Sequence, residues 1–377
     1  MSKRNFVSTP TMRALAAAVQ ANVPVLVWGN PGQAKSAKIE SYSKKWNMHI
    51  ETVVGSVRES SDYLGLPIEI DGQVVYSPPA WAIRLNAAKK SVLFLDELTT
   101  SAPSVQKAML RIMQERYVGE YKLNDGVVII AAANPPETAA DGWELPAPVA
   151  NRLLHMDWHF DVEEWLSGVG NNFETSTTYS IEQLIGKYDE SNRARSYALI
   201  TSFLRSRPEF LAPNPPEDPD KAGKAWPSPR SWTNAISALA HLDAGDEDAA
   251  TLILKGCVGQ DHAVEFIAWA ADQDLPNPVD VLKDPSIVDW SMRPDKLFAV
   301  VTAVSYLAVA RGDVVTWNAA VAVMEACGEN ERPDVALPSM RNLVAKMPKG
   351  AAISTSARAM FADLFEKAGI LEAAEAA

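Results

Sequence analysis

Apolar and polar positions change rhythm partway along the chain. Up to about residue 160, short apolar runs alternate with stretches of helical spacing. Pro24-Val25-Leu26-Val27-Trp28 reads as a buried strand closed by Gly29, and Lys35 to Trp46 as a helix. His49 to Val54 predicts a second strand, and Ser91 to Asp96 a third that is apolar until its last residue. Pro103 to Arg116 predicts a helix with a proline at its start, where the missing N–H costs nothing. Val127 to Ala133 and Leu153 to Phe160 predict a fourth and a fifth strand. Near-continuous apolar strands separated by helices imply a parallel sheet covered on both faces, an α/β architecture. Between the second and third strands, Ile68 to Tyr76 alternates about Asp71-Gly72, the pattern of a β-hairpin, with Glu69, Asp71 and Gln73 expected on one face.

From Asp161 the strand rhythm fades. Ser180 to Leu204 has helical spacing. Arg207 to Pro229 then holds Pro208, Pro213, Pro215, Pro216, Pro219, Pro227 and Pro229, which predicts a loop or inserted arm outside the packed core. Helical spacing resumes over Ser231 to Leu242 and Asp248 to Asp272. After Leu275-Pro276-Asn277-Pro278 it continues to the end, where Ala373 to Ala377 is expected to fray. The expected division is an α/β domain over 1–160, a helical lid with a proline-rich insertion over 161–275, and a C-terminal helical region over 276–377.

Composition narrows the function classes. Lys and Arg number 35 against 47 Asp and Glu, a net charge of −12 over 377 residues, which disfavours a general nucleic-acid coat. Cys257 and Cys327 stand far apart, in neither a disulfide framework nor a zinc spacing, and fit a reducing cytoplasm. MSKRNFVSTP has no apolar run behind its basic residues, so no signal peptide is expected. Leu297 to Ala310, the longest apolar stretch, is too short to span a bilayer and reads as a buried helix.

The chemistry lies in four short segments. Gly29-Asn30-Pro31-Gly32-Gln33-Ala34-Lys35-Ser36 follows the first strand and opens a helix, the setting of a phosphate-binding loop. Its backbone N–H groups would surround phosphate oxygens, Lys35 would reach the β- and γ-phosphates, and Ser36 would ligate Mg²⁺. Ala34 stands where a second glycine is usual, so the loop is expected to need helix-like φ at Ala34. Asp96-Glu97 ends a buried strand, which makes Asp96 a metal-holding carboxylate and Glu97 a general base. An N-cap Asp with a first-turn Glu is the other reading, and it recedes once the phosphate loop stands beside it. Asn134 ends the fourth strand, where a neutral amide can orient water without competing for the metal; a plain Asn-Pro turn is the bland alternative. His155, Asp157 and His159 alternate along the fifth strand, and a strand edge explains them better than a metal site. Trp226, Trp232, Trp269, Trp290 and Trp317 read as helical packing.

Four such elements in this order resemble an AAA+ ATPase, and within that superfamily the MoxR branch, over about residues 8–270. Gly29 to Ser36 is similar to its Walker A loop, in which alanine before the lysine is often seen. Asp96-Glu97 resembles Walker B and Asn134 sensor 1. Leu145-Pro146-Ala147-Pro148-Val149-Ala150-Asn151-Arg152 resembles the arginine-finger segment, with Arg152 at the arginine. Asn151 and Leu153 stand where the family usually has an acid and an aromatic. Trp226-Pro227-Ser228-Pro229-Arg230-Ser231 resembles sensor 2, with Arg230 at the arginine. Ser61 to Gly65 with Ile68 to Pro79 resembles the helix 2 insert, which in the family faces a hexamer's pore. The resemblance implies strand order 5-1-4-3-2 and ATP with Mg²⁺ as ligands. It further implies a homo-hexamer that remodels or assembles a partner protein, one bearing a von Willebrand factor A domain. A nucleotide-gated scaffold and a DNA-directed motor are the alternatives. The acidic charge disfavours nucleic acid, and no membrane association is expected.

Overall fold

The computed structural model describes residues 9–135, 143–159, 188–211, 214–243 and 245–362, with the helix Val162–Val169 and positions 181 and 184. The strands are β1 (Val25–Trp28), β2 (His49–Val54), β3 (Leu66–Ile70), β4 (Gln73–Ser77), β5 (Ser91–Asp96), β6 (Tyr117–Val118), β7 (Tyr121–Lys122), β8 (Val127–Ala133) and β9 (Leu154–Asp157). Five of them form one parallel sheet in the order β2-β5-β8-β1-β9. Numbered by their place among these five and read from the β9 edge, that is 5-1-4-3-2, the order the sequence resemblance implies.

The two central strands explain the hydrophobic runs. β8 is buried at every position and β5 at all but Asp96, so neither shows alternation. The helices Lys35–Lys45, Ala80–Ala87 and Pro103–Glu115 connect the strands. The last stops one residue before the expected Arg116, which takes a left-handed φ of 60° as its C-cap. The expected strand to Phe160 ends at Asp157, and residue 160 lies outside the described residues. The helix expected from Ser180 is described from Glu190 to Ser206; most of its first ten residues lie outside the described ones, as do 373–377.

The hairpin β3–β4 forms about Asp71 and Gly72, with φ of 52° and 76°. A two-residue turn reverses parity across the hairpin. Gln73 therefore sits opposite Ile70, and Glu69 shares its face with Val74, not with Gln73 as simple alternation suggested. Leu66, Ile68, Ile70, Val74 and Tyr76 are all exposed. The small antiparallel pair β6–β7 carries no signal that the sequence reading used.

Chain contacts group the protein into two units, Met1–Tyr188 with Leu211–Val264, and Asp189–Phe210 with Glu265–Ala377. In the first unit the helix Glu247–Val258 packs on β9 so closely that a Cβ at Gly256 would stand 2.2 Å from the His155 carbonyl. The proline-rich stretch belongs partly to this core. Ala222, Trp226, Pro227 and Ser228 are buried, which corrects the expectation of an unpacked arm. Pro213 lies outside the described residues. The second unit is helical: Glu190–Ser206, Pro278–Lys283, Pro294–Arg311, Val314–Glu329, Pro333–Ala345 and Thr355–Met360. Leu297, Val301, Val304, Trp317, Met324, Met340 and Leu343 form its core. The expected packing role holds for Trp226, Trp232 and Trp317, which are buried. No helix among the described residues is long and apolar enough to cross a membrane.

Candidate active site

Parallel strands present their carboxyl ends at one edge of a sheet, and ligands bind there. Neighbouring strands β5, β8 and β1 end at this edge in Asp96, Asn134 and Gly29. Three segments remote in sequence therefore converge.

Gly29 leaves β1 where a Cβ would meet the Trp158 Cβ at 2.9 Å and the Lys35 side chain at 3.1 Å. Gly32 takes φ 79°, and the Asn30 N–H donates to the Gln33 side-chain oxygen at 3.1 Å. Ala34 has φ 56° and ψ 28°, a left-handed residue directly before the helix Lys35–Lys45. This corrects the expectation of helix-like φ. The chain reverses into the helix at this residue, and the β-carbon accepts the strain, which costs roughly 1–2 kcal/mol.

Lys35 is buried, and its ammonium donates to the carbonyls of Gly29 (2.5 Å) and Asn30 (3.1 Å) and to Asn134 Oδ1 (2.9 Å). Burial lowers its pKa, while Asp96 and Glu97 act in the opposite direction. Ser36 Oγ donates to Asp96 Oδ2 at 2.5 Å, and Asp96 Oδ1 accepts the Glu97 N–H at 2.9 Å. Ser36 and Asp96 thus bring a hydroxyl and a carboxylate to one point, a hard-oxygen set suited to Mg²⁺. Glu97 is not in a first helical turn: the next helix begins at Pro103, and Glu97 has φ 59°. Its carbonyl accepts the Ser101 hydroxyl at 2.7 Å, and its carboxylate accepts from Ser56 Oγ. The sequence offered no signal for Ser56. Asn134 uses its carbonyl to accept from Thr99 Oγ1 at 3.2 Å.

The two arginines lie elsewhere. Leu154 pairs with Val25, so Arg152 precedes β9 at the edge where β1 begins. The four residues of β1 separate that edge from the phosphate loop by about 13 Å. Arg152 donates to the Pro148 carbonyl, and its Nε is buried without an acceptor. Burial first, then the nearby Arg230 guanidinium, lowers its pKa. Asn151 is the residue whose role the sequence did not disclose. Its amide donates to the Trp226 carbonyl at 3.0 Å, and its oxygen accepts the Ser228 hydroxyl at 2.6 Å. These bonds dock the 226–231 segment against 151–152 and place Arg230, on the helix Pro229–Leu239, beside Arg152. Neither arginine forms an ion pair among the described residues.

His155 is no metal ligand in this arrangement. Its Nδ1 lies 2.9 Å from the Trp28 indole nitrogen and its Nε2 2.9 Å from the Ala150 carbonyl. Trp28 can only donate, so Nδ1 accepts and Nε2 carries the proton. Burial pushes the imidazole pKa down to about 4. No cluster of three or more His, Cys, Asp or Glu suited to a metal occurs among the described residues. A cavity of about 670 Å³ lies beside Trp28 and His155, lined also by Thr11, Met156, Asp157 and Lys224 among others.

Comparison with known proteins agrees with this geometry. Residues 24–153 match the family model of the AAA domain, dynein-related subfamily. None of the curated proteins compared with the chain matches it. Among solved structures it is similar to a Cytophaga hutchinsonii protein provisionally described as an ATPase. That likeness has 20% identity and a TM-score of 0.44, and covers 66% of this chain and 80% of that one. It is too loose to place individual residues. The parallel sheet, four of whose strands lie in the matched segment 24–153 and whose fifth, β9, directly follows it, has the AAA fold, and the chain is an ATP hydrolase.

Proposed function

We propose that the chain is a MoxR-like AAA+ ATPase that couples ATP hydrolysis to remodelling or assembly of a partner protein, working as a ring of identical subunits. The observation that carries this reading is the position of Arg152 and Arg230. Arg152 lies about one strand length from the phosphate loop of its own subunit, with Arg230 close enough to act on its charge, and in this reading that edge serves a neighbour's nucleotide. A hexamer acting on a partner with a von Willebrand factor A domain follows from the resemblance of the motifs.

In this mechanism the loop amides and Lys35 hold the β- and γ-phosphates, and the base and ribose enter the cavity beside Trp28. Ser36 and Asp96 would hold Mg²⁺, which would supply charge neutralisation to the phosphates when bound. Glu97 accepts a proton from water as its oxygen attacks the γ-phosphorus in line. The bond to the bridging oxygen breaks, and ADP and phosphate leave. Asn134 orients that water, and Arg152 with Arg230 of the adjacent subunit balances the charge on the transferring group. The exposed apolar hairpin β3–β4 is the element offered to the partner polypeptide.

Subunit mixing tests the reading. Arg152→Ala and Glu97→Gln subunits, each inactive alone, are combined in equal amounts. Interfaces that pair an intact Glu97 with an intact Arg152 should restore part of the ATPase activity, and activity of the wild type should rise with protein concentration. No recovery despite demonstrated subunit exchange would place Arg152 in a purely structural role.

A further inference from the structure

One buried side chain joins the two edges of the sheet and has no part in the mechanism so far. His155 sits in β9 beside Leu26 of β1, buried apart from a small surface on the cavity beside Trp28. Trp28, the last residue before the phosphate loop, donates its indole N–H to His155 Nδ1, and the two rings stack with centroids 6.0 Å apart. That bond leaves the imidazole one tautomer. Its Nε2–H then reaches the carbonyl of Ala150, the last residue of the turn Ala147–Ala150. This turn has no side-chain cap of its own, and Arg152 follows it by two residues. A hydrogen-bonded line therefore runs from the strand that ends in the phosphate loop to the backbone that carries Arg152.

We infer that His155 is a positioning residue for phosphoryl transfer: oriented by Trp28, it holds the Arg152 turn in register with the nucleotide-binding strand. The bond to Ala150 is buried, and the bond from Trp28 is partly so. Breaking either leaves an unpaired polar group at a cost of about 1–3 kcal/mol, so the turn follows the strand instead of drifting from it. An arginine that must meet a phosphate on another subunit is sensitive to such drift, since a misplacement near 1 Å can cost about 10²-fold in rate. The inference rests on the reading of Arg152 as a trans-acting residue. Spatial succession alone does not prove coupling, so the test separates the two ends of the line.

The mixing experiment supplies the separation. In the Glu97→Gln and Arg152→Ala mixture, productive sites take ATP from the Arg152→Ala subunit and arginine from the Glu97→Gln subunit. His155→Leu is added to one kind of subunit at a time. In the arginine donor it should lower kcat about ten- to a hundredfold and leave KM for ATP unchanged. His155→Gln, which can keep a donor toward Ala150, should recover much of that loss, and Trp28→Phe in the donor should reproduce a weaker version of it. Equal losses from both placements, matched by lost thermal stability, would reduce His155 to a core residue. An unchanged kcat with the donor altered would also overturn the proposal. Should His155→Leu fail to fold, Trp28→Phe and His155→Gln decide alone, by whether kcat falls in the donor placement only. A parent mixture without activity would overturn the trans reading of Arg152 itself, and this proposal with it.

Discussion

The two edges of the parallel sheet carry charge in opposite ways. At the carboxyl edge each charged group has hydrogen-bond partners: Lys35 is held by two carbonyls and Asn134, Asp96 by Ser36, and Glu97 by Ser56. At the other edge Arg152 and Arg230 stand close together with no carboxylate paired to either among the described residues, and burial first, then the Arg230 guanidinium, disfavours the charge on Arg152. The first edge is assembled for chemistry on a ligand the subunit itself holds. The second has surplus positive charge, and Arg152 there lies at the opposite end of β1 from the phosphate loop. On the proposed function, this surplus charge is met by the nucleotide of an adjacent subunit.

Substitutions can break or sharpen this contrast. The largest effect should come from the unpaired edge. Arg152→Ala should lower kcat by about 10³–10⁵, the range of arginine fingers in other phosphoryl-transfer systems, and Arg230→Ala should act in the same direction. Neither should change the affinity of the subunit for ATP in calorimetric titration. A parallel loss of affinity would mean that the two edges serve one nucleotide. At the paired edge, Glu97→Gln keeps the shape but cannot take the proton, so turnover should fall about 10²–10⁴-fold while ATP still binds. Near-normal phosphate release from that variant would move the base elsewhere.

Lys35→Ala should weaken ATP binding by about 10²–10³-fold, because it removes one side of a desolvated charge pair. Unchanged affinity in a folded variant would detach the loop from phosphate binding. A smaller effect tests the loop's strain. Ala34→Gly should raise stability by roughly 1 kcal/mol, since glycine accepts φ 56° freely. Thermal melting would show it as a rise of a few degrees, and a fall would mean that the methyl group packs favourably.

The smallest predicted effect lies outside both edges. Arg13 and Asp246 form a two-bond ion pair, at 2.5 and 2.8 Å, between the helices Pro10–Gln20 and Glu247–Val258. The Arg13 bond holds the Asp246 carboxyl below its usual range against a partial counter-effect of burial. A carboxyl depressed in the folded state stabilises fully above its unfolded pKa, near 4, and loses that contribution as pH falls through the lower folded value. The melting difference between wild type and Arg13→Met should therefore be constant from neutrality to about pH 4 and shrink below it. A difference independent of pH would assign the contact to packing.

Legibility of the molecule followed sequence distance. Gly29 to Ser36 could be read directly because strand, turn and helix start are contiguous, and each is set by local torsions and periodicity. The strands β5 and β8 were equally plain, since a strand buried on both faces has no polar alternation to hide it. Errors arose where one residue's conformation depends on closure of the chain. Ala34 was expected to be helical, but the loop turns at that residue. Gln73 was placed with Glu69 by alternation that a two-residue turn interrupts. The segment 226–228 was expected to be unpacked by its prolines, yet it is buried through bonds to Asn151, more than seventy residues away.

By itself the sequence determined the local machinery: which strands are buried, where a phosphate loop opens a helix, and which carboxylates end a strand. Those features depend on torsion preference, periodicity and residue type within a few positions, and they survive in any fold that contains them. Tertiary structure alone decided what stands beside Arg152. The strand order implied by the resemblance already set Arg152 at the far side of the active edge, whereas no sequence signal placed Arg230 beside it. Sheet register puts the first at the start of β9, and the Asn151–Ser228 hydrogen bond carries the second to it. Strand pairing and buried side-chain bonds link positions far apart in sequence, and no local pattern encodes the partner at the other end.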